Sequence, residues 1–132
     1  MTEATPGGPT VLVADEDVGF IWWLAELFAE FGYRSIPALG CRQALSLFRR
    51  SDSEVHIALI NPRLRGGARL ISILRHLGVS KIVLIQEPGH HRLVDGVLAS
   101  IETPTGLGPI SRMEWRQKLQ RLLMQLGSRA AS

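Results

Sequence analysis

Short apolar runs alternating with stretches of helical spacing narrow the folds open to this chain more than any other feature. Thr10–Ala14, Ile57–Ile60 and Lys81–Ile85 are brief, mostly apolar and lack strict polar alternation. They read as strands covered on both faces. Tyr33–Ala38 is a weaker strand, expected at a sheet edge because Pro37 cannot donate to a ladder. Val97–Ile101 reads as a last strand. Between these runs, Val18–Phe31 carries Phe20, Trp23, Leu24, Leu27, Phe28 and Phe31 at helical spacing, and Gly32 stops it. Gly40–Arg50 and Ala68–Leu77 read as shorter amphipathic helices, and residues 89–95 as one or two turns at most. A final helix is expected from Ser111, with Ser111 and Glu114 forming a capping box. Its inner stripe is Trp115, Leu119, Leu122, Leu123 and Leu126. Strand and helix in regular alternation imply a doubly wound α/β fold around a parallel sheet.

The 132 residues suit one domain, expected over 10–127 with a loose leader at 1–9 and a small polar tail at 128–132. The net charge is +3, and the arginines are scattered along the sequence without forming one block, so nucleic-acid binding through them is permitted but not expected. One cysteine, Cys41, excludes an internal disulfide and reads as a small core filler. Residues 1–9 do not read as a secretory leader and no apolar run reaches the length of a bilayer span, so a cytoplasmic protein without membrane contact is expected.

The central run delivers Asn61 to its carboxyl end, where open parallel sheets place their binding crevice. The first run ends in Asp15-Glu16-Asp17. These acids have two readings: oxygen ligands for a divalent ion such as Mg²⁺, with Asp15 and Glu16 as the candidates, or a solvated cap on the following helix. No Ser-His or Cys-His pairing and no phosphate-cradling glycine pattern stands out, so no catalytic residue is assigned and enzymatic activity is not expected. His90-His91 in a glycine-flanked turn lacks the spacing of a closed metal site.

Val11-Leu12-Val13-Ala14-Asp15-Glu16-Asp17, Gly32-Tyr33-Arg34, Ala38-Leu39-Gly40 before Gln43-Ala44-Leu45, and Thr103-Pro104 occur in an order that resembles the receiver domain of bacterial response regulators, from Val11 to Leu126. The resemblance implies a flavodoxin-like five-stranded parallel sheet of order 2-1-3-4-5. It also implies aspartyl-phosphate formation at five positions: two acids holding Mg²⁺, an acceptor aspartate, a Thr or Ser, and a lysine. Asp15 and Glu16 match the acids, but Asn61 stands at the acceptor position, Gln86 at the Thr/Ser position and Thr103 at the lysine position. A carboxamide is not a carboxylate nucleophile. Thr103 removes the cation that stabilises a transferring phosphoryl group, and Glu87 adds repulsion toward a dianion. Pro62 also blocks conversion of Asn61 to aspartate by succinimide closure, since it has no N–H.

Residues 86–103 are shorter than the family's corresponding stretch, so the helix between the fourth and fifth strands is expected to be shortened or missing. The resemblance also assigns Ile21, Trp22 and Ala25 to a normally polar face of the first helix, an expected partner-binding patch. The resulting expectation is a stand-alone pseudo-receiver of two-component, phosphorelay-type signal transduction, itself acting independently of phosphorylation and lacking an effector domain. It is expected to work by binding another signalling protein or itself as a homodimer. The competing expectation is small-molecule or divalent-metal sensing in the vestigial acidic crevice.

Overall fold

A computed structural model describes residues 9–50, 55–87 and 99–131, the stretch 127–131 by its backbone only. Five strands, β1 (Thr10–Ala14), β2 (Arg34–Ala38), β3 (Val55–Ile60), β4 (Ile82–Gln86) and β5 (Ala99–Glu102), form one sheet of order β2-β1-β3-β4-β5. Every pairing is parallel, so this is the expected flavodoxin-like topology. Pro37 lies on the edge strand β2, as its missing N–H requires. The helices are α1 (Val18–Glu30), α2 (Cys41–Arg50), α3 (Gly67–His76) and α4 (Pro109–Ala131). The expected shortening of a helix between β4 and β5 falls at 88–98, outside the described residues, as do His90, His91 and Val97.

Side chains alternate across the strands and divide the core into two layers. Val11, Val13, Ile57, Leu59, Val83, Ile85 and Ile101 meet α1 and α4. Leu12, Ala14, Ala58, Ile60, Ile82 and Leu84 meet α2 and α3. One irregularity interrupts the β1–β3 ladder between Thr10 and Val11, where His56 is passed over. Its imidazole Nδ1 accepts from the Thr10 backbone N–H at 3.2 Å, so the donor released by the shift is satisfied.

Between α1 and α4 the rings of Phe20, Trp23 and Trp115 pack together. Trp115 stands edge-on to both others, with centroids 5.6 and 5.8 Å away. Arg112 and Arg116 of α4 reach Glu26 and Glu30 of α1 over this cluster. Both arginines are therefore ion-paired at the surface. The α4 helix also starts earlier than the capping box implied. Pro109 is its first residue, where a missing N–H costs nothing, and the Arg112 amide donates to the Gly108 carbonyl. Ser111 is then a buried first-turn residue, and at the other end the helix passes through Gly127.

The partner patch expected on α1 is corrected. Ile21 is 2% exposed and belongs to the core, whereas Trp22 is 62% exposed and Ala25 is half-buried. Ile21 stands three residues before Leu24 and seven before Phe28, which puts it on their buried stripe. Trp22 projects from the opposite side. Among the described residues, no helix is long and apolar enough to cross a membrane.

Candidate functional site

Strand order reverses about β1, and a cleft of about 410 Å³ opens at the carboxyl ends of the strands. Asp15, Glu16, Asp17, Asn61, Glu87 and Thr103 line it, together with the segment Pro104–Leu107. The sequence-predicted residues Asp15, Glu16, Asn61 and Thr103 therefore converge. Gln86 does not line the cleft. It is buried at the end of β4, and its carbonyl accepts from the Thr103 amide at 2.8 Å, which ties the two strand ends together.

The three acids play different parts. Asp17 is the N-cap of α1, its Oδ1 accepting from the Phe20 amide at 3.1 Å. Glu16 is exposed. Asp15 is 4% exposed, and one of its oxygens accepts from the Asp17 amide at 2.9 Å. Burial pushes the Asp15 carboxyl above its ordinary value. The hydrogen bonds from Asp17 and Asn61 pull it back, and the charges of Asp17 and Glu16 raise it again.

Asn61 follows β3, held by its backbone amide donating to the Ala14 carbonyl at 2.9 Å. Its Nδ2 donates to Asp15 Oδ2 at 3.3 Å, and its Oδ1 accepts from the Arg63 amide at 2.9 Å. These neighbours fix the orientation of the carboxamide, because a carboxylate requires the NH₂ and an N–H requires the oxygen. Asn61 therefore presents hydrogens to Asp15 at the point where a shared cation would need an oxygen. The residues as arranged do not fit a Mg²⁺ ion bridging Asp15 and Asn61. Among the described residues, no group of three or more His, Cys, Asp or Glu side chains is gathered for a metal.

One feature escaped the sequence reading. Arg63, two residues beyond Asn61, pairs with Glu87 at 2.8 Å across the crevice mouth. Glu87 is thus partly neutralised, not simply a free repulsive charge. The turn between β3 and α3 is also sterically tight. Gly66 has φ +81°, and a side chain on Gly67 would stand 3.0 Å from the Pro62 carbonyl oxygen and 3.2 Å from that of Asn61. The Gly66-Gly67 pair carried the signal for this close approach. Cys41 is half-buried behind the turn, its thiol pushed up by burial, which supports the filler reading. A second cleft of about 430 Å³ lies between β5 and α4 and contains none of the sequence-predicted site residues.

Neither family models nor curated proteins yield a sequence match. Solved structures do match. A two-component response regulator from Clostridium difficile superposes with a TM-score of 0.71 at 16% identity, over 94% of this chain and 99% of that one. A CheY-like receiver domain protein from Methanospirillum hungatei JF-1 gives 0.70 at 18% identity, over 93% and 97%. The receiver domain of the Francisella response regulator 1452 gives 0.61 at 21% identity, over 85% and 98%. Identities this low establish the fold alone, and that fold, with its crevice at the ends of β1 and β3, is the fold of a response-regulator receiver domain.

Proposed function

We propose that this protein is a receiver-like module of bacterial signal transduction that acts by binding another protein, without accepting a phosphoryl group. The observation that carries the reading is Asn61. At the end of β3 it offers a carboxamide whose two ends are already engaged, by Asp15 and by the Arg63 amide. A neutral amide oxygen does not perform nucleophilic displacement at phosphorus, and Thr103 supplies no cation to the crevice. In this reading the Asn61 N–H group stabilises the buried Asp15 carboxylate in place of a metal ion. The site is a structural clasp that holds β1 and β3 together.

Incubation with acetyl phosphate tests the proposal. Intact-mass measurement is expected to show no added phosphoryl group on the wild-type protein. A phosphoryl group mapped to this crevice overturns it. On the partner side, the exposed Trp22 is the anchor the fold leaves available, with Ala25 beside it. Trp22→Ala is expected to abolish capture of a signalling partner, or self-association, while leaving the fold intact.

The cleft of about 410 Å³ favours a second reading, a small-molecule or divalent-metal sensor. Calorimetric titration with Mg²⁺ or Mn²⁺ separates the two. Saturable binding that Asp15→Ala removes supports the sensor.

A further inference from the structure

The fold gathers arginines that the sequence scatters. Residues 41–86 hold eight Lys and Arg against two acids, Asp52 and Glu54, a balance of +6; the rest of the chain holds seven against ten, a balance of −3. Because α2 and α3 touch each other and cover the same sheet face, the arginines they carry are displayed on one side. Arg42, Arg49 and Arg50 on α2, Arg65 in the turn after β3, and Arg69 and Arg75 on α3 are all exposed.

These arginines differ from Arg112 and Arg116 on α4. Arg112 and Arg116 are neutralised by Glu26 and Glu30, whereas no ion pair among the described residues involves any of the six on the α2–α3 side. Like charges fixed on two packed helices cannot separate, so the surface keeps a positive potential that a polyanion relieves.

The chemistry of the patch selects among polyanions. Protein interfaces centre on aromatic or aliphatic anchors, and membrane-surface helices insert an apolar face. Among the described residues of this face, the exposed large hydrophobics are Leu39, just before α2, and Leu77, just after α3, while Gln43, Ser46 and Ser72 accompany the arginines. A polar, arginine-rich surface matches the sugar-phosphate backbone, whose phosphates the guanidinium fork contacts bidentately.

We propose that the outer face of α2 and α3 binds a nucleic-acid backbone without reading base sequence.

The test uses the full chain with a fluorescein-labelled mixed-sequence DNA duplex, read by anisotropy between about 50 and 200 mM salt. Binding is expected to weaken with a log–log salt slope between about −3 and −6, as four to six phosphate contacts imply, and to change little when the sequence is scrambled. Arg69→Glu combined with Arg75→Glu is expected to weaken binding at least about tenfold and to reduce the slope by about 2, whereas Arg121→Glu on α4 leaves affinity within about twofold. If the double reversal does not fold, Arg42→Gln with Arg49→Gln is expected to shift affinity and slope in the same direction. Three results overturn the proposal: no binding at about 50 mM salt, an equal loss in Arg121→Glu, or tighter binding to polyglutamate or phosphatidylserine vesicles than to the duplex.

Discussion

At the scale of single residues, the pair Asp15–Asn61 decides the chemistry of the crevice. A carboxyl raised by burial favours the folded state most below its ordinary value of 3.8, and that contribution is lost as pH climbs through the raised folded value. Asn61 offsets part of the loss by donating to Asp15 at 3.3 Å. Asn61→Asp replaces this donor with a second carboxylate and raises the folded-state value further. The variant is expected to be less stable than wild type by about 1–3 kcal/mol near pH 7, with the gap narrowing toward about pH 4 as one carboxyl takes a proton. Denaturant titrations at both pH values measure this, and a gap that widens in acid contradicts it. The neighbours Ile21 and Trp22 give a second contrast. Ile21→Ala is expected to cost about 2–5 kcal/mol, because it empties a core position, and Trp22→Ala within about 0.5 kcal/mol, because the ring stands in solvent. Equal losses in thermal unfolding contradict the assignment of the two faces of α1.

At the scale of elements, the turn between β3 and α3 positions the site. The Leu64 amide donates to the Asn61 carbonyl and the Gly67 amide to the Leu64 carbonyl, which brings α3 in directly beneath the crevice. A methyl group at Gly67 meets backbone atoms, not a yielding side chain. Gly67→Ala is therefore expected to destabilise by about 1–3 kcal/mol despite the better helix propensity of alanine. The accompanying shift of the Arg63 amide resonance reports displacement of its bond to Asn61. An unchanged resonance with unchanged stability removes this account of the turn. The α1–α4 contact is built differently. Its stability rests on Phe20, Trp23 and Trp115 packing ring to ring, with the partly exposed ion pairs of Arg112 and Arg116 adding little beyond orientation.

At the scale of the whole molecule, the sheet is shared by two apolar layers, and every tryptophan lies on α1 or α4. Fluorescence thus reports the α1–α4 layer alone, while far-ultraviolet dichroism reports all the helices. Because the same strands carry both layers, the two signals are expected to share one denaturation midpoint; separate midpoints mean that the layers unfold independently. Charge is divided along the same line as the core. Among the described residues, Arg112 and Arg116 on the α1–α4 side are ion-paired, whereas no ion pair involves Arg42, Arg49, Arg50, Arg65, Arg69 or Arg75 on the α2–α3 side.

Periodicity in the sequence determined the strands and the parallel α/β class, because it is a local signal that the sheet repeats, while the strand order and the convergence of Asp15, Glu16, Asn61 and Thr103 followed from the resemblance to receiver domains. The sequence also made plain that an amide stands after β3. Only the tertiary structure decided which way that amide points, since Asp15 and the Arg63 amide fix it from opposite ends. Tertiary packing likewise paired Arg63 with Glu87 across the mouth and collected distant arginines on one face. Each of these depends on elements that meet only after the chain has wound around its sheet, and no local pattern encodes such a meeting.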